Sequence, residues 1–243
     1  SRREGGKMKY IKYVRYVVYM LIMRLKGIKR AYIERFKGEE EAWKYAQEVF
    51  RKWTYFTINI IGMEIEVEGF ENIPDKTCVF MGNHQSILDI PVMRYSTQRT
   101  LDFVAKKELT KAPLIGYWIT HVKSVTIDRD NVREGMKAIN QAVNNIKDGY
   151  NFTIFPEGTR SKDGKIHEFK KGSVKIATKS KAPIVPVAIK GTSACFEDSK
   201  EFVPGKVKVI FGEAIETENI SREVEKELML RVEESVRNLY EKI

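Results

Sequence analysis

The chain has 243 residues, 42% apolar, 11% aromatic and 31% charged, with a net charge of +10. This composition excludes a disordered protein and gives room for one domain with a modest extension. The charge is confined: residues 1–37 hold twelve Lys or Arg against two Glu, while residues 38–243 are neutral, with 31 of each sign. A nucleic-acid-binding domain spreads its basic charge over the folded body, whereas one basic segment on a neutral body fits a tether to an anionic surface.

From Met8 to about Phe36, apolar, aromatic and basic residues are mixed. The longest run without charge, residues 16–23, has eight residues. That falls short of the roughly 20 needed to cross a bilayer, and no small-residue cleavage site marks a secretory signal. Lys9, Lys12 and Arg15 recur at helical spacing and share a stripe. Val14, Val17, Val18, Leu21, Met23 and Leu25 cover another face. Tyr10, Tyr13, Tyr16 and Tyr19 are spaced by three, and Tyr favours the lipid–water boundary. The pattern predicts a helix lying on a bilayer; the competing reading is a helix packed on its own domain with a solvated basic edge. Gly38 followed by Glu39, Glu40 and Glu41 predicts a break and a new start. The second helix, over 39–61, carries Trp43, Tyr45, Phe50, Trp53, Tyr55 and Phe56. The pair would form a hairpin over 1–62 that seats the protein on a membrane through residues 8–61, leaving 63–243 as the main domain.

Seven apolar runs follow, at 64–68, 77–81, 101–105, 124–127, 152–155, 184–189 and 206–211, and read as strands. Amphipathic stretches lie between them. Val132, Met136, Ile139, Val143 and Ile146 mark a helix over 131–147, and Leu228, Val232, Val236 and Leu239 mark a final one. Alternating strand and helix predicts an α/β fold with a largely parallel central sheet flanked by helices. Chemistry in such sheets lies at the carboxyl ends of strands.

Two strand ends carry polar clusters. One is Asn83-His84-Gln85-Ser86-Ile87-Leu88-Asp89. His84 is a candidate general base, and Asp89, five residues on, can fix its tautomer. The other is Phe155-Pro156-Glu157-Gly158-Thr159-Arg160-Ser161. Gly158 allows close backbone approach, Arg160 offers a fork for phosphate, and Glu157 either binds substrate hydroxyls or holds the Arg. Each alone also reads as an ordinary capped turn or a solvated ion pair. His121 reads as packing or a helix end. His167 reads as solvated, at the edge of any acceptor site. Cys78 and Cys195 are far apart, and no Cys/His spacing predicts a metal.

Together the two clusters resemble the lysophosphatidate (1-acylglycerol-3-phosphate) acyltransferase family. Asn83, His84, Ser86 and Asp89 match its first block, and Phe155 through Ser161 its third. Val125-Thr126-Ile127-Asp128-Arg129 is similar to the second, the loosest of the four, with Ile127 where the pattern has an aromatic. Ile184-Val185-Pro186-Val187-Ala188-Ile189 is similar to the fourth. The blocks keep the family's order over about 77–190, and the N-terminal helices resemble its membrane-docking element. The resemblance implies acyl transfer from an acyl carrier protein or coenzyme A thioester to the sn-2 hydroxyl of lysophosphatidate. His84 and Asp89 would be catalytic. Asn83, Ser86, Lys106, Arg129, Glu157, Gly158, Thr159 and Arg160 would bind substrate, with Arg129, Arg160 and Lys106 on the phosphate. No cofactor or nucleic acid is expected, and the implied location is the cytoplasmic face of the cell membrane. Acylation of glycerol-3-phosphate or another lysolipid, hydrolytic release of fatty acid, and a basic membrane- or nucleic-acid-binding module without catalysis stay open as alternatives.

Overall fold

Helix α1 (Arg2–Lys37) and helix α2 (Glu39–Ile61) lead into strand β1 (Met63–Glu68) in the computed structural model, which describes residues 2–128 and 130–243. Then come β2 (Val79–Gly82), α3 (Asp89–Thr97), β3 (Asp102–Lys106), α4 (Ile115–Thr120), β4 (Val125–Ile127) and α5 (Val132–Lys147). The chain continues with β5 (Phe152–Ile154), α6 (Gly172–Ser180), β6 (Ile184–Lys190), β7 (Gly205–Phe211) and α7 (Arg222–Tyr240).

All seven expected strands form, in one sheet of order β1-β7-β6-β2-β5-β3-β4, parallel except for the antiparallel β6–β7 pair. β2 lies mid-sheet between β5 and β6. Its side chains alternate between two cores. Val79 and Met81 join Val143, Ile146, Val174, Val232 and Val236 on one face. Cys78 and Phe80 join Ile58, Ile61, Val92 and Met93 on the other. Helices cover both faces, so the central strands β2, β5 and β6 are buried nearly throughout, whereas β1 at the sheet edge alternates apolar residues with Glu.

Gly38 (φ 94°) separates α1 from α2, and Gly62 ends α2 in the left-handed region (φ 85°), its N–H bonded to the Ile58 carbonyl. α1 carries two opposed apolar faces. The inner one seats Met20 and Met23 against Val49. There the Tyr19 ring stacks on Phe56 at 3.9 Å, and Trp53 Nε1 donates to the Tyr16 hydroxyl at 3.0 Å. Two expectations change here. Tyr13, Tyr16 and Tyr19 turn toward the protein, because a spacing of three drifts by about 60° per step around a helix of 3.6 residues per turn. Met23 belongs to the inner seam. The outer face shows Ile11, Val14, Val18, Leu21, Leu25, Ile28, Tyr32 and Phe36, all exposed and recurring every three or four residues. No helix among the described residues is long and apolar enough to cross a membrane. His121 closes α4, its ring stacked on Tyr117, and its carbonyl accepts from Arg30 of α1.

Asp102 ties α2 to the sheet. Its buried carboxylate accepts from Trp43 Nε1 at 3.1 Å and Ser124 Oγ at 3.1 Å. Burial raises its pKa from 3.8 to about 6, against the pull of those two donors. A raised carboxylate pKa means that the folded state holds the proton more tightly than the unfolded one. The stabilisation is complete below about pH 4 and is lost as pH rises through about 6, a loss of about 3 kcal/mol. Urea unfolding at several pH values should therefore show a falling component between pH 4 and 6 that Asp102→Asn removes; identical pH dependence in both proteins would contradict this.

Candidate active site

The turn after β2 is built around one buried carboxylate. Asp89, the first residue of α3, is fully buried. Its Oδ2 accepts the backbone N–H groups of Gln85 (2.7 Å) and Ser86 (3.0 Å) and meets His84 Nδ1 at 2.7 Å. Its Oδ1 accepts from the buried Thr192 hydroxyl at 2.5 Å. A buried carboxylate is costly unless donors surround it in this way. With Nδ1 as donor to Asp89, Nε2 is left with its lone pair, and no described residue bonds it. The imidazole stacks on Phe155, ring centroids 4.1 Å apart and 9° from parallel. Its half-buried side chain thus has one packed face and one free nitrogen.

The turn after β5 clamps the first. Glu157 Oε1 accepts the His84 backbone N–H at 2.9 Å, and Oε2 that of His167 at 2.9 Å. Ser161 N–H donates to the His84 carbonyl at 2.8 Å. Both backbone groups of His84 are thereby tied to the second cluster. Burial raises the Glu157 pKa, and the two N–H groups oppose that rise. Glu157 therefore meets neither Arg160 nor the open site; it is a clamp on His84.

Asn83 and Ser86 also make bonds within the frame. Asn83 is buried and brackets Ile189 of β6, donating to its carbonyl and accepting its N–H, both at 2.8 Å. The buried Ser86 hydroxyl accepts from Leu88 N–H at 3.1 Å and faces inward. These polar groups pin the strand ends, leaving no free edge for a ligand. Gly158 takes φ 75°, and its N–H closes the turn on the Phe155 carbonyl. Thr159 and Arg160 are exposed at the rim. Lys106 is exposed at the end of β3, with no partner among the described residues. Arg129 lies outside the described residues. His167 is exposed, its Nε2 against Asp163 at 2.9 Å.

The sequence reading missed Thr192 and Glu197, which follow β6. Glu197 ends a π-helical turn, Ser193–Glu197, and reaches both clusters: Oε1 accepts from Ile87 N–H at 2.9 Å and from Arg160 Nη1 at 2.8 Å. Neither residue lies in a polar cluster, and only the topology brings them there. An apolar cavity of about 120 Å³ adjoins the site, lined by Phe50, Trp53, Ile87, Phe103 and Trp118 among others. No metal-binding cluster of His, Cys, Asp and Glu occurs among the described residues.

The family sequence model described as Acyltransferase matches residues 64–190, just over half of the chain, and includes both clusters. The chain belongs to the acyltransferase family. This family member is similar to a 1-acyl-sn-glycerol-3-phosphate acyltransferase of Pseudomonas aeruginosa, 30% identical over 190 residues, 76% of this chain and 74% of the relative. It is also similar to a chloroplastic protein of that name from Brassica napus, 34% identical over 154 residues, 62% of this chain and 44% of the relative. It thus spans less than half the length of that plant relative. The crystal structure of the 1-acyl-sn-glycerophosphate acyltransferase PlsC from Thermotoga maritima superposes with a TM-score of 0.75 at 31% identity, covering 95% of this chain and 97% of that one.

Thr192→Val keeps the shape of the side chain and removes the donor to Asp89 Oδ1. Leaving a buried carboxylate oxygen without that partner should cost about 1–3 kcal/mol in urea unfolding; a change below about 0.5 kcal/mol would show that Thr192 does not support the dyad.

Proposed function

We propose that this acyltransferase moves a fatty acyl group from an acyl thioester to the sn-2 hydroxyl of lysophosphatidate, at a membrane surface, to form phosphatidate. The observation that carries the reading is the buried His84–Asp89 pair with Nε2 unpartnered, held between the two strand-end turns. The similarity to 1-acyl-sn-glycerol-3-phosphate acyltransferases supports lysophosphatidate as the acceptor.

In this reaction His84 Nε2 takes the hydroxyl proton as the oxygen attacks the thioester carbonyl. Asp89 holds the ring through Nδ1 and balances the imidazolium charge. The tetrahedral oxyanion needs N–H donors. Gly158 and Ser161 have committed theirs to the Phe155 and His84 carbonyls. The backbone N–H groups of Thr159 and Arg160, which bond no described residue, serve that role. When the carbonyl re-forms, the thiolate leaves and takes the proton from His84. Transfer is direct; Ser86 is buried and bonded within its turn, and Cys78 is buried with its thiol pKa raised chiefly by that burial. Acyl carrier protein and coenzyme A are both suitable thiols, and the apolar cavity beside Ile87 takes the acyl chain. Arg160, with Arg129 and Lys106, meets the acceptor phosphate.

Residues 1–62 form the membrane-association element and 63–243 the catalytic domain. The exposed apolar stripe of α1 supports this. Its flanking Lys and Arg suit the anionic lipid of a cytoplasmic leaflet, and the stripe is wide enough for an interfacial helix.

Acyl transfer from a radiolabelled thioester to lysophosphatidate in mixed micelles tests the reading. Wild type should make phosphatidate, and His84→Ala should lose about 10²–10⁴-fold or more of the rate. Equal product from both would remove His84 as the base.

A further inference from the structure

Glu197 lies outside every motif block, yet it is the group through which the two turns of the site meet the rim. It is fixed from three directions: Ile87 N–H donates to Oε1 at 2.9 Å, Lys200 Nζ to Oε2 at 2.6 Å, and Ser86 Oγ lies 3.4 Å from Oε1. Its side chain is 12% exposed, against 49% for Arg160. The carboxylate is therefore the anchored member of the pair and the guanidinium the mobile one. Burial would raise the Glu197 pKa, but the Ile87 N–H, Lys200 and Arg160 outweigh burial and lower it, so the group is ionised near neutral pH. One carboxylate between two cations leaves a net positive rim.

Arg160 has five N–H donors, and among the described residues its guanidinium bonds only Glu197, through Nη1. We propose that Glu197 is the positioning residue for the acceptor's phosphate: it grips Arg160 by one nitrogen and so sets the remaining guanidinium N–H groups to receive a lipid phosphate beside His84. This rests on the phosphate-bearing acceptor proposed above. The same carboxylate holds the Ile87 N–H, two residues before Asp89, so the phosphate grip and the base are referred to one anchor. A free Arg side chain on the surface samples many rotamers, and fixing one end reduces the ordering cost of binding.

Positioning and plain charge predict opposite results. Glu197→Ala raises the positive charge of the rim, so a purely electrostatic role would lower KM for lysophosphatidate. Positioning instead predicts a KM rise of about tenfold, the scale of one charge-assisted hydrogen bond, with kcat within about threefold of wild type. Glu197→Gln keeps an acceptor oxygen for Ile87 and Arg160 and should restore KM to within about threefold. The experiment compares KM and kcat of the full chain for the three proteins in mixed micelles, after circular dichroism shows that each is folded. An unchanged or lower KM in the Ala variant would overturn the proposal, as would a kcat loss with no KM change. If the Ala variant does not fold, the Gln variant decides alone: KM near wild type supports positioning, and a shift of about tenfold in either direction refutes it. Wild type failing to acylate lysophosphatidate would refute the underlying reading instead, and would be seen before any variant is compared.

Discussion

The buried carboxylate of Asp89 is the constraint on which the site depends. A carboxylate with no solvent contact is costly unless donors surround it. Here the donors are two backbone N–H groups, a hydroxyl and the imidazole itself. Satisfying Asp89 thereby shapes the turn after β2 and commits Nδ1 of His84 to the interior. The tautomer that leaves Nε2 as an acceptor follows from the fold.

A second set of bonds fixes where that nitrogen stands. β2 and β5 are parallel neighbours, so their carboxyl ends emerge side by side. Glu157 and Ser161 then hold both backbone groups of His84. Asn83 fastens the same strand end to β6 on the other side. The polar residues of the motifs thus divide by depth. Those that are buried build the frame, while Thr159 and Arg160 stand exposed at the rim. An apolar cavity is lined in part by Ile87, next to this frame, and a separate apolar stripe lies exposed along α1.

The centre of the sheet was legible in sequence because β2, β5 and β6, buried on both faces, read as apolar runs, and β1 was legible through its alternation of apolar residues with Glu. The helix over 131–147 was legible through its single apolar stripe. α1 was harder, since its two apolar faces blur the periodicity, and the inward turn of Tyr13, Tyr16 and Tyr19 was hidden by it. The short α3 and α6 lack side-chain caps, so neither announced its start. The motif pattern named His84, Asp89, Glu157 and Arg160, but not which of them face inward. Thr192 and Glu197 were invisible because their partners in the first turn, Asp89 and Ile87, lie 103 and 110 residues away in sequence; only the parallel crossover to β6 brings them to the turn. Function-bearing loops on a rigid scaffold commonly hide such partners.

The central claim is that the fold holds His84 with Nδ1 protonated toward Asp89 and Nε2 open to the substrate hydroxyl. The most direct measurement is ¹H–¹⁵N NMR of the protein with labelled imidazole, with the ring neutral. The His84 signals should show a protonated Nδ1, with its proton strongly downfield and protected from exchange, and an unprotonated Nε2. An Nε2–H tautomer, or a rapidly exchanging Nδ1 proton, would contradict it.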